Sequence, residues 1–326
     1  MAMSEFELIE RFFTRPARHA ALGIGDDCAF IAPSAGQLFA ISTDMLLEGR
    51  HFLPGADPFG LGHKTLAVNL SDCAAVAARP RYALLAGALP DADPDWVGAF
   101  ASGLFALADR YDVELIGGDT TQGPRTFCVT ILGEVPPGEA LLRSGAQVSD
   151  MIWVSGEIGR ARLGLALERD EAIAPPPAAL HAPALAAMHR PEPRVELGIA
   201  LRGIGTSGID ISDGLIGDLG HILERSAVGA EIHLPRIPAS AWLHERALDP
   251  QTASWGLAFV LAGGDDYELC FTAPVAKAEL VRAAGRAAGV AVTPIGRIRR
   301  EPGLTVLAAD GTPLDVATVK SFDHFG

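Results

Sequence analysis

Cysteines are scarce in this 326-residue sequence, which contains four of them and no Cys-x-x-Cys pair. A structural zinc site needs a different arrangement. Cys28, Cys73, Cys128 and Cys270 each lie among apolar neighbours. We therefore expect free, mostly buried thiols and a reducing, cytoplasmic location.

Basic clusters and long apolar runs are also missing. The 26 Lys and Arg residues face 40 Asp and Glu residues, so the net charge is −14. No basic patch or tail is visible, which argues against a nucleic-acid partner. No apolar run approaches the roughly 18 residues of a membrane span. The start, Met1-Ala-Met-Ser-Glu-Phe-Glu7, is acidic, and it lacks the basic and apolar regions of a signal peptide.

The remaining composition predicts a folded protein of two domains. Hydrophobic residues make up 49% of the chain, which argues against disorder, and the length suffices for two cores. Pro136, Pro137 and Gly138 interrupt the strand pattern before new strand residues begin at Met151. We expect an N-terminal domain over 1–146 and a C-terminal domain over 147–326. Strands and helices alternate irregularly, which favours an α/β (α+β) fold with mixed sheets over a Rossmann domain.

Local signals predict the main elements. Ser4 and Glu7 form a capping box that begins a helix over 4–13. Asp57-Pro58 and Asp93-Pro94 begin two more helices, the first running to about residue 78. The Ala- and Pro-rich segment 171–194 predicts a surface excursion with a short helix. Further helices are predicted over 195–202, 214–225 and 277–288, and strands over 30–31, 38–43, 81–89, 113–116, 126–135, 151–154, 208–212, 230–234, 267–272, 292–298 and 304–307.

Short acidic segments recur in apolar surroundings. Ser42, Thr43 and Asp44 end a predicted strand, where their oxygens suit a hard cation such as Mg²⁺; a helix cap or turn is the alternative. Charged groups in such surroundings need partners, and nearby basic residues are too few. We therefore expect the aspartates to converge on divalent cations. The six segments are Gly25-Asp26-Asp27, Ser42-Thr43-Asp44, Asn69-Leu70-Ser71-Asp72, Gly117-Gly118-Asp119, Asp210-Ile211-Ser212-Asp213 and Gly264-Asp265-Asp266.

The second predicted helix carries a polar stripe. Thr65, Asn69 and Asp72 stand at positions i, i+4 and i+7, so they share one face. This face lines the acidic cleft or is an ordinary solvated face.

The familiar nucleotide-binding motifs are absent. Residues 203–208 match the spacing Gly-x-Gly-x-x-Gly, but a helix precedes them and a strand follows, whereas the dinucleotide fingerprint needs a strand first. The chain also lacks a Walker phosphate loop with its lysine. Nucleotide phosphates would have to be bound mainly through aspartate-held Mg²⁺.

These motifs together resemble those of the thiamine-monophosphate kinases, in the aminoimidazole ribonucleotide synthetase (PurM-like) superfamily. The resemblance covers nearly the whole chain. It is carried by Gly23-Ile-Gly-Asp-Asp-Cys28, Ser42-Thr-Asp44, Glu48-Gly-Arg-His-Phe52, Lys64-x-Leu-Ala-Val-Asn-Leu-Ser-Asp72, Gly117-Gly-Asp-Thr-Thr121, Arg143-Ser-Gly145, Arg190-Pro-x-Pro-Arg194, Ile209-Asp-x-Ser-Asp-Gly-Leu215, Gly263-Gly-Asp-Asp-Tyr-Glu-Leu269 and Phe322-Asp-His-Phe325.

The resemblance implies ATP-dependent phosphorylation of thiamine monophosphate to thiamine diphosphate. It implies a PurM-like two-domain fold, with an N-terminal domain that forms a barrel across a homodimer and a C-terminal α/β domain. Several Mg²⁺ ions would accompany ATP. Matched by motif, the metal ligands would be Asp27, Ser42, Thr43, Asp44, Asp72, Asp119, Asp210 and Asp213; the ATP contacts Gly118, Asp119, Arg143, Ser212 and Tyr111; and the acceptor contacts His51, Asp265 and Phe322.

The implied chemistry agrees with the acidic motifs, because phosphoryl transfer depends on positioning and charge neutralisation more than on covalent catalysis. An acceptor phosphate is already ionised, so His51 is predicted to position the substrate and not to act as an essential base. Three alternatives stay open: another synthetase of the superfamily, of the ligase or selenophosphate type; a metal-dependent phosphatase; and a metal-binding structural protein.

Overall fold

The structure, a computed structural model, describes residues 4–323. The start of the chain at residues 1–3, and His324 and Phe325 of the closing motif, lie outside this range. Two compact units are distinguished: unit 1 comprises Met1–Cys73 and Ala78–Gly138, and unit 2 comprises Ala74–Ala77 and Glu139–Gly326.

Unit 1 is built on a four-stranded mixed sheet. The strand order is β1-β4-β2-β3, with β2 and β3 parallel and the other pairs antiparallel. Its elements are α1 (Glu5–Phe12), β1 (Leu38–Leu47), α2 (Pro58–Ala75), β2 (Arg79–Leu89), α3 (Pro94–Arg110), β3 (Glu114–Gln122) and β4 (Thr126–Val135).

The predicted helix starts of unit 1 are confirmed by their caps. The Ser4 hydroxyl accepts from the Glu7 backbone N–H at 3.3 Å, and the Glu7 carboxylate accepts from the Ser4 N–H at 2.8 Å. Asp93 caps α3 by accepting from the Asp95 N–H at 3.0 Å. Each cap satisfies N–H groups that the first turn of a helix leaves without an intrahelical acceptor.

The core of unit 1 lies between α3 and the sheet. The apolar stripe on α3 is buried at Val97, Phe100, Leu104 and Leu107. The Phe100 and Phe127 rings stack with centroids 4.4 Å apart. Burying a large apolar side chain contributes about 1.5–3 kcal/mol, so this stripe attaches α3 firmly to the sheet.

Three strand predictions in unit 1 are wrong. Strand β1 does not end at Ser42-Thr43-Asp44 but continues to Leu47, because it stays paired with β4. Strand β3 does not end before the Gly117-Gly118-Asp119 motif but continues through it to Gln122. The reason is the ladder with β2, where Gly118 pairs with Leu85 and Asp119 with Ala86. Residues 30–31 form no strand, because Phe30 makes only an isolated bridge to Leu22. Helix α2 ends at Ala75, three residues before the predicted position.

Unit 2 is built on a six-stranded mixed sheet of order β10-β7-β9-β5-β8-β6, in which only β10 and β7 pair in parallel. Its labelled elements are β5 (Met151–Ser155), α4 (Arg160–Glu168), α5 (His181–His189), α6 (Val195–Ala200), β6 (Ser207–Asp210), α7 (Leu215–Ser226), β7 (Gly229–His233), α8 (Ala241–Leu248), α9 (Ala253–Ala262), β8 (Leu269–Ala273), α10 (Ala278–Ala287), β9 (Val292–Arg299) and β10 (Gly303–Leu307).

Three helices of unit 2 were not predicted from the sequence. Helix α4 follows Gly159, which makes no side-chain cap. Helix α8 has eight residues, and α9 is apolar on nearly every side, so neither shows a clear helical period. The short helix expected within 171–194 is confirmed as α5, preceded by the 3₁₀ turn Ala178–Leu180.

Both sheets contain parallel and antiparallel pairs, which confirms the predicted mixed α/β class. Within residues 4–323, the helices are all too short or too polar to span a membrane.

Candidate active site

Strand β1 and helix α2 bring predicted metal ligands together in unit 1. The Ser42 hydroxyl donates to a carboxylate oxygen of Asp72 at 2.5 Å. The Asp44 backbone N–H donates to the Asn69 side-chain oxygen at 3.1 Å. Because side chains alternate along a strand, Ser42 and Asp44 share the face of β1 that meets α2. The oxygens of Ser42, Asp44 and Asp72 therefore belong to one cluster.

Thr43 lies on the opposite face of β1. Its hydroxyl donates to the Val129 carbonyl at 2.9 Å and accepts from the Thr130 hydroxyl at 3.2 Å. Of the three consecutive residues predicted as ligands, only Ser42 and Asp44 direct their side chains toward α2.

Two of the three residues on the polar stripe of α2, Thr65 and Asn69, are buried and Asp72 is half-buried, so the alternative interpretation of the stripe as a solvated face is wrong. Thr65 is 1% exposed and Asn69 0%. The Thr65 hydroxyl donates to the Leu61 carbonyl at 2.8 Å, and the Asn69 amide donates to the Thr65 carbonyl at 3.1 Å. These bonds satisfy the buried polar atoms and fix the helix face from which Asp72 projects.

His51 is held in one orientation by the backbone. Its Nδ1 accepts from the Leu47 N–H at 3.0 Å, and its carbonyl accepts from Lys64 Nζ at 3.4 Å. An Nδ1 that accepts a hydrogen bond carries no proton, so the neutral ring bears its proton on Nε2. His51 can therefore donate from Nε2 while Nδ1 stays engaged with the chain.

The loop that carries Asp27 is anchored by two buried glutamates. Glu114 on β3 accepts from the backbone N–H groups of His19 and Ala20 at 2.7 and 3.2 Å. Glu134 on β4 accepts from the Ser34 N–H at 2.7 Å and from its hydroxyl at 2.9 Å. Neither glutamate was predicted from the sequence, although a carboxylate within an apolar strand signals a buried partner.

A cavity of about 870 Å³ in unit 1 is lined by the Asp27 loop and by the Gly-Gly-Asp segment of β3. Gly118 approaches β2 so closely that a Cβ there would lie 1.8 Å from the Leu85 carbonyl oxygen, so only glycine fits. Asp27 and Asp119 contribute charge, and Trp96 and Phe100 contribute apolar surface. Two predicted ligands that are far apart in sequence thus line one space.

Two of the three remaining predicted ATP contacts, Tyr111 and Arg143, lie elsewhere in the fold. Tyr111 follows the last residue of α3 and is 8% exposed; it is not among the described residues that line this cavity. Arg143 is exposed in unit 2, where its carbonyl accepts from the Ser226 hydroxyl at 2.9 Å.

In unit 2, the segments 210–214 and 263–268 are joined by backbone hydrogen bonds. The Asp265 N–H donates to the Ser212 carbonyl at 2.8 Å, and the Phe322 N–H donates to the Asp213 carbonyl at 3.1 Å. The structure therefore brings together four predicted site residues: Ser212, Asp213, Asp265 and Phe322. Asp210 precedes them as the last residue of β6 and is 6% exposed.

Asp218 is a buried carboxylate that was not predicted from the sequence. It accepts from the Asp213 and Gly214 N–H groups at 3.1 and 3.0 Å, which orders the start of α7. Burial, followed by the nearby charge of Asp213, raises the pKa of Asp218 to about 7. Asp218 lies on the first turn of α7, where an acidic residue is a common sequence signal.

Asp266 caps the first turn of α4. Its carboxylate accepts from the Gly159 N–H at 2.9 Å and the Ala161 N–H at 3.4 Å. Burial raises the pKa of Asp266 to about 8, although these N–H groups oppose the shift. Asp266, unlike its neighbour Asp265, therefore has a structural role as the cap of α4.

Within residues 4–323, no group of three or more His, Cys, Asp and Glu side chains is arranged to hold a metal ion by itself. The Ser42, Asp44 and Asp72 cluster contains two carboxylates and a hydroxyl. Such an all-oxygen set suits Mg²⁺, which usually binds through one or two carboxylates together with water and substrate phosphates.

Models of the AIR synthase related proteins match both parts of the chain. The N-terminal domain model matches residues 25–135, and the C-terminal domain model matches residues 148–308. The fold and its acidic segments thus define a two-domain protein of the AIR synthase related class.

Relatives that match this chain over their full length identify its family within the AIR synthase related class. Thiamine-monophosphate kinase of Escherichia coli strain K12 is 44% identical over 329 residues, spanning 100% of this chain and 99% of the relative. The crystal structure of thiamine-monophosphate kinase from Stenotrophomonas maltophilia K279a has 42% identity and a TM-score of 0.83, covering 96% of this chain and 99% of that one. AaThiL complexed with AMPPCP and TMP has 28% identity and a TM-score of 0.75, covering 99% and 97%. The chain belongs to the thiamine-monophosphate kinase family, as its motifs predicted.

Proposed function

We propose that this chain transfers the terminal phosphoryl group of ATP to the phosphate of thiamine monophosphate, giving ADP and thiamine diphosphate. The observation that carries this proposal is the 44% identity to a thiamine-monophosphate kinase over the whole chain. The similarity to a structure complexed with AMPPCP and TMP supports the same two substrates.

The acidic residues are proposed as the Mg²⁺ ligands. In unit 1 these are Asp27, Ser42, Asp44, Asp72 and Asp119, and in unit 2 they are Asp210 and Asp213. Thr43 is left out, because its hydroxyl lies on the opposite face of β1 and is bonded to Val129 and Thr130. The oxygen-only cluster at Ser42, Asp44 and Asp72 fits this ion. Bound Mg²⁺ would supply positive charge that offsets the repulsion between two anionic phosphates.

Nucleotide and acceptor contacts are proposed by motif. Gly118, Asp119, Tyr111, Arg143 and Ser212 would contact ATP. His51, Asp265 and Phe322 would contact thiamine monophosphate. The Nε2–H of His51 suits a phosphate or other acceptor group, because it is a donor fixed by the Leu47 hydrogen bond.

Transfer is proposed to be direct. An ionised oxygen of the acceptor phosphate attacks the γ-phosphorus of ATP, and the bond to the oxygen that bridges the β- and γ-phosphates breaks as ADP leaves. An ionised acceptor needs no strong general base. No phosphorylated enzyme intermediate is then formed.

We also propose that the protein forms a homodimer and is located in the cytoplasm. Along β1, Leu38, Ile41 and Met45 are 54%, 64% and 52% exposed. Ile41 and Met45 lie on one face, and exposed apolar surface of this kind suits a protein interface. The four cysteines are all free, which fits a reducing compartment. The expectation that they are mostly buried is wrong, because Cys28 is exposed and Cys128 only half-buried.

A coupled ADP-release assay with and without thiamine monophosphate tests the activity. ADP release that requires thiamine monophosphate, with thiamine diphosphate formed in equal amount, is expected. ADP and inorganic phosphate produced equally well without the acceptor would indicate a phosphatase. A requirement for a different acceptor would indicate another type of synthetase.

A further inference from the structure

The segment 263–268 of unit 2 has an unusual backbone. Gly264, Asp265 and Tyr267 have φ values of +68°, +60° and +49°. A positive φ is costly for residues other than glycine and persists only where the surroundings enforce it. Asp265, a proposed acceptor contact, therefore depends on neighbouring residues for its conformation.

Backbone hydrogen bonds to Ile211, in the acidic segment 210–213, hold part of this conformation in place. The Tyr267 N–H donates to the Ile211 carbonyl at 2.9 Å, and the Ile211 N–H donates to the Glu268 carbonyl at 2.8 Å. The Tyr267 hydroxyl donates to the Asp265 carboxylate at 3.3 Å. A displacement of Glu268 would consequently be transmitted through its neighbour Tyr267 to Asp265.

Glu268 is the buried anchor of this arrangement, with 5% of its surface exposed. It forms a two-pronged ion pair with Arg194, whose Nε donates at 2.7 Å and whose Nη2 contacts the second oxygen. The Ser155 hydroxyl donates to Glu268 at 2.5 Å and accepts from the Leu269 N–H at 2.8 Å. A buried carboxylate needs such partners to remain charged.

The Glu268 carboxylate occupies the space beside Gly156 that a side chain there would need. Gly156 has φ of +57°, and a Cβ there would lie 1.8 Å from a Glu268 carboxylate oxygen. Arg194 follows Pro191 and Pro193, which restrict the backbone that presents it. The Arg-Pro-x-Pro-Arg motif, to which no role was assigned above, thus ends in the residue that holds Glu268.

We propose that Arg194 is a positioning residue for the acceptor, because its ion pair with Glu268 holds residues 263–268 in the conformation that presents Asp265. This inference rests on the proposed function. Arg194 acts through Glu268 and Asp265 and leaves ATP binding largely unaffected. A lysine could keep the charge but not the planar two-pronged contact.

The test compares steady-state kinetics and thermal unfolding of Arg194→Lys and Glu268→Gln with those of the full-length wild-type protein. Both substitutions are expected to raise KM for thiamine monophosphate by about tenfold. KM for ATP should stay within about twofold of wild type. Tyr267→Phe, which removes the bond to Asp265 without touching the ion pair, should change KM in the same direction by a smaller factor.

Asp150→Asn is the matched control. Asp150 is also a buried carboxylate, 4% exposed, and it accepts from the Thr206 hydroxyl at 2.6 Å. Thr206, the partner of Asp150, directly precedes β6 and lies near Thr272, close to the C-terminal end of β8. Glu268 directly precedes the N-terminal end of β8, so the two carboxylates lie at opposite ends of this strand. Asp150→Asn should lower the unfolding temperature and change neither KM.

Different results would contradict the proposed function and the proposed role of Arg194. Absence of acceptor-dependent ADP release in the wild-type protein would overturn the proposed function. With an active wild type, an unchanged KM for thiamine monophosphate in folded Glu268→Gln and Tyr267→Phe would overturn the role of Arg194. An equal rise in both KM values would also overturn it, because it would indicate a general structural effect.

Discussion

The Ser42 hydroxyl donates a 2.5 Å hydrogen bond to the Asp72 carboxylate, joining strand β1 to helix α2 through two polar residues. A short bond to a carboxylate is strong, but it occupies only part of the acceptor capacity of Asp72. Asp72 can therefore be fixed by Ser42 and still bind a cation.

Asp72→Asn is expected to lower kcat by about 100-fold or more, since even indirect partners of a metal ligand cost 10–100-fold when mutated. The asparagine oxygen can still accept from Ser42, so the thermal unfolding midpoint should change little. Asp109→Asn is the control, because Asp109 pairs with Arg15 at the surface of the same unit. Wild-type turnover by Asp72→Asn at limiting Mg²⁺ would contradict the assignment.

ATP binding is expected to depend strongly on Mg²⁺. Lys64 is 3% exposed and donates to the His51 carbonyl, and the chain has no Walker phosphate loop in which a lysine binds the triphosphate. Calorimetry in excess chelator should detect little ATP binding, and added Mg²⁺ should restore it. Equal affinity with and without the metal would show that the acidic residues do not bind the nucleotide through a cation.

His51→Gln is expected to raise KM for thiamine monophosphate while kcat falls by less than about tenfold. The glutamine amide can donate as Nε2–H does, and loss of a general base would instead cost about 10²–10⁴ in rate. Nitrogen NMR of the wild-type imidazole should show the proton on Nε2. A loss of about a thousandfold in kcat with unchanged KM would assign His51 a role as base.

Asp266 makes stability depend on pH. Burial raises its pKa from 3.8 to about 8, so between these values the folded protein retains a proton that the unfolded chain has released. Its stabilising contribution is full below pH 3.8 and is lost as pH rises toward 8. A shift of this kind corresponds to on the order of a few kcal/mol.

The measurement is thermal unfolding of Asp266→Asn and wild type across this pH range. The variant should be the more stable protein at the upper end, where wild type carries a buried charge, and the difference should shrink as pH falls. Asp218 has a pKa raised to about 7, so some pH dependence will remain in the variant. Identical pH profiles for the two proteins would contradict the raised pKa of Asp266.

Local signals in the sequence predicted those parts of the fold that depend on neighbours along the chain. The Ser4 capping box and the Asp93 cap marked helix starts, because each acts within one turn. The apolar helix α9 was missed, since apolar residues on nearly every side remove the period that identifies a helix. Strand β3 was ended too early because glycines usually mark a break, whereas here Gly118 allows close contact with β2.

The candidate site was predictable in its residue types but not in its contacts. Asp-rich motifs indicated which side chains carry the chemistry, and the structure joins Ser42 to Asp72 and Asp265 to Ser212. The motif could not show that Asp266 caps a helix while its neighbour Asp265 adjoins Ser212. The different roles of Asp265 and Asp266 depend on α4. This helix lies more than a hundred residues before Asp266 in sequence, and its own start carries no capping residue that would have predicted the contact.

Transfer of labelled phosphate tests the central claim most directly. The protein is incubated with Mg²⁺, thiamine monophosphate and ATP labelled in its γ-phosphate, and the products are separated. Direct transfer predicts label in the terminal phosphate of thiamine diphosphate, one equivalent for each ADP, and no label on denatured protein when the acceptor is omitted. Label recovered as inorganic phosphate, or bound to the protein and chased into product, would contradict the account.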